Sequence, residues 1–183
     1  MPVRAEPDDA SEQVTQLLQG EPVEVEETRD GWSRIRTAYD YPGWTREDAL
    51  VDGTGTLMGA SPYGDPVEAA RSYLGAPYDW GGMTQRGIDC SGLVHMAYRR
   101  TGRLVPRDAH QQEAAATAID ESEARRGDLV CFGEPGHADH IAFWLGEGRI
   151  LHATAREGTN AVVEESLRNV AERRIRFARL TIP

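Results

Sequence analysis

Cysteine is scarce in this chain. There are two in 183 residues, Cys90 and Cys131, so one disulfide at most is available, and in a cytosolic chain both are expected as free thiols. Cationic charge is scarce too. Twenty Lys+Arg stand against thirty Asp+Glu, for a formal net charge of −10. Nucleic acid and anionic membrane demand a dense cationic surface, so neither is an expected partner. Long apolar runs are missing: "IAFWL" is among the longest, far short of the roughly 20 residues that span a bilayer. The opening "MPVRAEPDDASEQ" lacks the charged head, apolar core and small-residue cleavage site of a secretory leader. The chain therefore reads as cytoplasmic, or as extracellular if a leader has been removed. It has no internal repeat and no low-complexity tract.

What is present fits a soluble globular protein. Hydrophobic residues make up 39% and charged residues 27%, and the length suits one ordinary domain or a small one followed by a medium one. The first part carries short β-like runs, "VTQLL", "EPVEVEE" and "GWSRIRTA", with partial alternation at Val23 and Val25 and at Trp32, Arg34 and Arg36. Turns are marked by "QGEP", "RDGW" and "YPGW", with Pro42-Gly43 the strongest turn signal. Strands this short and this closely spaced predict a small all-β barrel over residues 1–52. A Gly/Ser/Thr/Pro-rich stretch comes next and reads as a linker over 53–65, stiffened by Pro62 within it and Pro66 at its end. Counted from Val51 to Asp65 it is fifteen residues, a length that suits docking of the barrel against a second unit.

Residues 66–183 form that second unit. Asp65 is placed as an N-cap, with Pro66 at the first helical position and Gly75 as the stop. "CSGLVHMAYRRTG" predicts a second helix ending at Gly102, and "RDAHQQEAAATAI" a third. From Gly127 the pattern turns to β, in "DLVCF", "HIAFWLG", "RILHAT", "AVVEE" and "IRFARLTIP". Helices first and antiparallel strands afterwards predict an α+β domain.

The chemistry centres on "RGIDCSGLVHMAYRR", where Cys90 starts a helix between Asp89 and Ser91. A helix N-terminus favours thiolate over thiol, and thiolate is the nucleophile. Cys131 lies in an apolar strand and reads as core. A cysteine nucleophile needs a histidine base, and the base needs an orienting polar group. Of the five histidines, His95 points away from Cys90 along the same helix. His110 lies in a polar helical stretch and His137 in the loop "EPGHAD". His140 opens "HIAFWLG" and His152 sits in "RILHAT", joined by the short turn "GEGR", so a hairpin would put two imidazoles on neighbouring strands. A metal site of Cys90, His140 and His152 is the alternative, though the spacing lacks the compactness of common zinc sites.

Taken together, "GAPYDWGG", "IDCSGLV", "HADHIAFWLG" and "ILHAT", in that order, resemble the NlpC family of papain-like cysteine peptidases, which cleave peptides of bacterial cell-wall peptidoglycan. The resemblance covers roughly Pro66 to Pro183. The first part resembles the bacterial SH3-like barrel often fused upstream. The resemblance implies a papain-like domain with helices packed on an antiparallel sheet, no cofactor and no metal. It implies Cys90 as nucleophile, His140 as base in an ion pair with it, His152 as the orienting group and Tyr78 as an oxyanion donor beside the Cys90 N–H. Gly81, Gly82 and Gly92 are expected to serve close backbone packing. Arg107 and Asp108 match a segment beside the substrate groove, where they either touch substrate or pair with each other.

Members with an upstream barrel resemble γ-D-glutamyl-L-diamino acid endopeptidases of murein recycling, which require a free N-terminal L-Ala. That implies a fixed negative charge for the substrate ammonium. Asp89 is the expected receptor, with Ser91 beside it, and an N-cap role is its rival. Tyr41 is the expected barrel aromatic, with Tyr39 as rival. A general hydrolase of intact wall and a non-catalytic peptidoglycan-binding module are the competing readings.

Overall fold

The computed structural model describes residues 1–57, 64–170 and 173–181. Strands β1 (Pro2–Arg4), β2 (Gln13–Gln16), β3 (Val23–Arg29), β4 (Trp32–Thr37) and β5 (Pro42–Arg46) form one antiparallel sheet in the order β2-β1-β5-β4-β3. Among the described residues no ladder joins β2 to β3, so this SH3-like sheet stays open at that seam. Val3, Leu17 and Ile35 fill its small core. The β3–β4 turn is Asp30-Gly31, both at positive φ, the backbone a tight two-residue hairpin requires.

Pro42-Gly43 is not the expected turn. Both residues lie in β5, and the chain reverses at Asp40, where φ is 60°. Gly43 is needed for closeness instead: a Cβ there would stand 2.4 Å from Val3 Cγ1.

The linker reading falls on residues 53–65, of which 58–63 lie outside the described residues. Helix α1 (Pro66–Arg71) starts as expected, with the Asp65 carboxylate accepting from the Val67 N–H at 2.8 Å. A short hairpin of β6 (Met83–Thr84) and β7 (Gly87–Ile88) leads into α2 (Cys90–Arg99). Helix α3 spans only Ala109–Ala115. The rest of the segment expected to be helical forms β8 (Thr117–Ile119), because pairing with a later strand overrides the alanine-rich propensity.

Strands β9 (Leu129–Glu134), β10 (His137–Gly146), β11 (Arg149–Arg156), β12 (Thr159–Ser166) and β13 (Ile175–Arg179) complete a six-stranded antiparallel sheet, ordered β12-β11-β10-β9-β13-β8. Alternation sets its two faces. Leu129, Cys131, Ile141, Phe143, Leu151 and Ala153 join Leu93, Val94 and Ala97 of α2 in the main core, while Val130, Phe132, Ala142, Trp144 and Ile150 pack with Leu167 and Phe177 in a second cluster. Cys131 is core, as expected.

Side chains fasten the first sheet to the α+β part. Trp80 Nε1–H donates to Glu12 at 2.6 Å, Gln13 Nε2 donates to the Trp80 carbonyl at 2.7 Å, and the Met83 N–H donates to Gln16 at 3.0 Å. Gly81, at φ 73°, lies so close that a Cβ would meet the Gln13 carbonyl oxygen at 2.4 Å. Arg99 reaches Glu21 at 3.0 Å, both side chains almost wholly buried, and donates through Nε to the Leu57 carbonyl at 2.9 Å. Removing one partner of such a pair leaves the other charge buried and uncompensated. Glu21→Ala is therefore expected to lower unfolding free energy by about 3–5 kcal/mol, and the double change Glu21→Leu with Arg99→Met to recover most of it, read by denaturant titration.

Candidate active site

The site is assembled at the N-terminus of α2. Asp89 adopts extended backbone (φ −94°, ψ 179°) and caps the helix by accepting from the Gly92 N–H at 2.6 Å. Cys90 is the first helical residue, so its N–H has no partner one turn back. Gly92 is required: a Cβ there would stand 2.4 Å from the Gly82 carbonyl oxygen and 2.8 Å from Asp89 Oδ1.

The rest of the Asp89 carboxylate is also engaged. Oδ2 accepts from the Gly81 N–H at 2.8 Å, and Arg107 donates to both oxygens, at 3.0 and 2.8 Å. Arg107 is 1% exposed. Its remaining N–H groups reach Thr15 Oγ1 at 3.1 Å, Ser91 Oγ at 3.0 Å and the Gly82 carbonyl at 3.3 Å. Ser91 donates in turn to Asp89 at 3.3 Å. Three expectations are corrected here. Asp89 is N-cap and ion-pair partner, not the free receptor of an ammonium. Ser91 completes the same buried network. Arg107 pairs with Asp89 and not with its neighbour Asp108.

A second carboxylate, that of Asp108, faces a cleft of about 310 Å³, which it lines together with Cys90, Tyr78, Trp80 and, from the first sheet, Glu12 and Tyr41. The Tyr41 hydroxyl donates to both Asp108 oxygens, at 2.9 and 3.1 Å. Burial raises the Asp108 pKa above the ordinary value, and the Tyr41 bond and the Arg107 charge pull it back only in part. Tyr39, the rival, faces inward: it bonds Thr15 at 3.1 Å, and its ring centroid lies 4.5 Å from that of His95. A larger depression of about 660 Å³ lies beside Trp144 and Leu167, but neither cysteine nor histidine lines it.

Behind the cysteine stand the histidines. Within β10 the register shifts between Ala138 and His140, and a bulge of this kind re-aims side chains and bends the strand. The backbone amides of the next residue, Ile141, and of Ser91 lie near enough to the Cys90 sulfur to favour its thiolate form. His140 Nε2 lies 2.8 Å from His152 Nδ1, and His152 Nε2 lies 2.8 Å from Glu165 Oε1. Two imidazoles bonded to each other in this way are not posed as co-ligands of one metal with Cys90. The two-residue β10–β11 turn, Glu147-Gly148 at φ 52° and 74°, fixes the register that brings them together. His95 is buried elsewhere, with Nδ1 2.8 Å from the Val105 carbonyl. His137 is exposed at the start of β10, not in a loop.

Burial works against the expected thiolate–imidazolium pair. Burial, and then the Asp89 charge, push the Cys90 thiol up to about 12, against the pull of the two N–H donors. Burial, with His152 and Arg173 nearby, holds His140 down to about 3. Both shifts favour thiol and neutral imidazole over the charged pair. Burial, then the Cys90 and Asp89 charges, raise the Tyr78 pKa, so its phenol stays a donor.

Motif reading missed three residues. Glu165 lies in "AVVEE", which carries only a strand signal. Glu12 and Trp80 meet only in the tertiary fold.

A cysteine at the head of a buried helix, packed on an antiparallel sheet that bears a histidine pair, is the architecture of papain-like cysteine peptidases. Within that class the chain belongs to the NlpC/P60 family, whose family model matches residues 75–176. Residues 3–50 match the bacterial dipeptidyl-peptidase Sh3 domain. The chain is 31% identical over 102 residues to a γ-D-glutamyl-L-lysine dipeptidyl-peptidase of Bacillus cereus, covering 54% of this chain and 31% of that protein. It is 36% identical over 105 residues to the peptidoglycan endopeptidase RipB of Mycobacterium tuberculosis, covering 50% and 43%. The chain thus spans well under two thirds of these relatives. Among solved structures, the RipB peptidoglycan hydrolase superposes with a TM-score of 0.56 at 32% identity, covering 64% of each chain. An NlpC/P60 family protein from Bacillus cereus matches the fold over 99% of this chain and 60% of its own, with a TM-score of 0.59 at 23% identity.

Asp89→Asn breaks a buried bidentate pair and leaves Arg107 partly unmatched. We expect it to cost about 3 kcal/mol or more of stability, read as a lowered denaturation midpoint, while the fraction that stays folded keeps its preference among substrates.

Proposed function

We propose that the chain is a cysteine endopeptidase that cleaves the bond between γ-D-Glu and the diamino acid in peptidoglycan stem peptides bearing a free N-terminal L-Ala. The observation that carries this reading is the Asp108 carboxylate. It is held by Tyr41 beside the nucleophile, in a short cleft that the first sheet walls off with Glu12. A half-buried, oriented carboxylate at the end of a short cleft is what a substrate ammonium needs. The similarity to proteins named γ-D-glutamyl-L-lysine dipeptidyl-peptidase supports the same bond. A free-amine requirement directs the enzyme to released peptides, which suits murein recycling.

The proposed mechanism is an acyl transfer. Cys90 Sγ attacks the scissile carbonyl carbon as its proton passes to His140, so no free thiolate has to persist in a buried site. Negative charge develops on the carbonyl oxygen, where the Cys90 N–H and the Tyr78 phenol donate. The C–N bond then breaks, and the departing amine takes the proton from His140. Water, deprotonated by His140, attacks the thioester and releases the carboxylate and the Cys90 thiol. Alkylation of Cys90 or Cys90→Ala is expected to abolish hydrolysis, whereas Cys131, with no exposed surface, stays unmodified in the folded protein. Full activity in Cys90→Ala would overturn the enzymatic reading and favour a binding module.

Specificity has its own test. A charge-assisted hydrogen bond contributes about 1.5–3 kcal/mol, or on the order of ten- to a hundredfold. Free L-Ala-γ-D-Glu-diamino acid should exceed its N-acetylated form by that factor in kcat/KM, and Asp108→Asn should erase most of the difference. Equal rates on the two peptides, with release of peptides from intact sacculi, would favour a general wall hydrolase, the activity named for the similar RipB.

The pH dependence follows from the two shifts. The raised Asp108 pKa means that its charge is lost earlier on acidification than that of an ordinary carboxylate. The lowered His140 pKa keeps the base neutral down to about 3. KM should therefore climb in mild acid while kcat holds, and Asp108→Asn should flatten that climb. On the alkaline side KM should rise as the substrate amine deprotonates, near about 8.

A further inference from the structure

Beyond the residues of the acyl transfer lies a carboxylate that none of those steps uses. Glu165 sits on β12, its side chain 9% exposed. Oε1 accepts from Arg156 at 2.5 Å and faces His152 Nε2 at 2.8 Å, while Oε2 accepts from Arg156 at 2.5 Å and from Asn169 Nδ2 at 2.8 Å. These four contacts fill the lone-pair sites of an ionised carboxylate. Burial alone would raise its pKa, but the bonds from Arg156, Asn169 and His152 outweigh it and hold the group at about 2. Glu165 is therefore an acceptor only throughout the working pH range.

We propose that Glu165 is a positioning residue that sets the tautomer of both active-site imidazoles and so leaves His140 with an unprotonated nitrogen for Cys90. The argument is a proton inventory. Glu165 has no proton to give, so His152 Nε2 carries the hydrogen and donates it. Burial keeps His152 neutral, so its Nδ1 carries a lone pair. The partner of that lone pair is His140 Nε2, at 2.8 Å, which must therefore be N–H. A neutral His140 protonated at Nε2 has its lone pair on Nδ1, and that nitrogen is the base. If His152 took its hydrogen on Nδ1 instead, the chain would reverse, His140 would carry its hydrogen on Nδ1, and proton transfer from the thiol would be blocked. Arg156 and Asn169 hold the carboxylate in the plane of this exchange. The other groups facing the pair are the Phe132 ring, 5.1 Å from the His140 ring, and the Arg173 charge, which opposes a second positive charge.

This role rests on the peptidase reading, but its first test does not need substrate. In wild-type protein with ¹⁵N-labelled histidine, long-range ¹H–¹⁵N NMR spectra should show both His140 and His152 protonated at Nε2. A hydrogen on His152 Nδ1 overturns the proposal whatever the catalytic outcome, and it does so without any variant that has to fold. The second test is kinetic. Glu165→Gln should lower kcat by about ten- to a hundredfold with KM held within about twofold, and its His152 should show mixed tautomers. In a His152→Ala background the same change should have little further effect, because Glu165 acts through His152. Equal losses from Glu165→Gln in both backgrounds, or unchanged kcat with the Nε2–H tautomer retained, overturn the proposal. Failure of the peptidase reading shows separately, as hydrolysis that survives Cys90→Ala.

Discussion

The buried Arg107 guanidinium is the support on which the site stands. All five of its N–H groups are used. Two go to the Asp89 carboxylate, one to Ser91 and one to the Gly82 carbonyl, and Nε reaches Thr15 across the junction with the first sheet. Only a planar fork of five donors can join these groups at one point, and a lysine could not. Through Asp89 the guanidinium fixes the first turn of α2, which sets the position of Cys90. Through Thr15 it ties that turn to β2, whose neighbours Glu12 and Val14 line the cleft. The cost of burying the charge is met by a complete hydrogen-bond shell, the condition under which a buried ion pair is tolerated.

The same burial decides how the nucleophile works. A helix N-terminus offers roughly half a positive charge, and the Ser91 and Ile141 N–H groups add to it. Against this stand complete desolvation and the Asp89 carboxylate, and they prevail, because a thiolate excluded from water loses far more than one helix end returns. Burial thus weights the pair towards thiol and neutral imidazole. Such a pair depends on the geometry of a single proton transfer and not on a standing charge, which is why the proton placement along His140, His152 and Glu165 matters more here than it would in an open site.

How much of this was legible in the sequence depended on range. Local signals held: Asp65 and Pro66 start α1, Asp89 caps α2, and the alternation through "HIAFWLG" and "RILHAT" separates the two faces of the large sheet. Cys90, His140 and His152 came within reach because their motifs carry chemistry at fixed spacing. What failed was tertiary. No local rule says that Asp89 will meet an arginine eighteen positions on and so lose its freedom, or that Asp108 will line the cleft. Pro42-Gly43 reads as a turn until Val3 is known to press on Gly43. Thr117–Ile119 reads as helix until β13 offers it a ladder. Glu165 had no signal beyond a polar residue in a strand, because its meaning lies in a partner on the adjacent strand.

Asp89 and Asp108, the N-caps of α2 and α3, show how one fold engages two carboxylates differently beside the same cleft. Asp89 has every oxygen lone pair engaged by donors of its own chain, so it has structure to maintain and nothing left for a ligand. Asp108 takes part in the capping box of α3, accepts from the Tyr41 phenol of the first sheet and lines the cleft. The difference arises from Arg107, which turns towards Asp89 and away from its immediate neighbour. Had it turned the other way, Asp108 would be neutralised and the helix cap would lose its partner. The proposed recognition at the cleft's end and the placement of Cys90 thus share one support. The first sheet belongs to that support as much as the catalytic unit does, since Thr15 holds the guanidinium and Tyr41 bonds the Asp108 carboxylate.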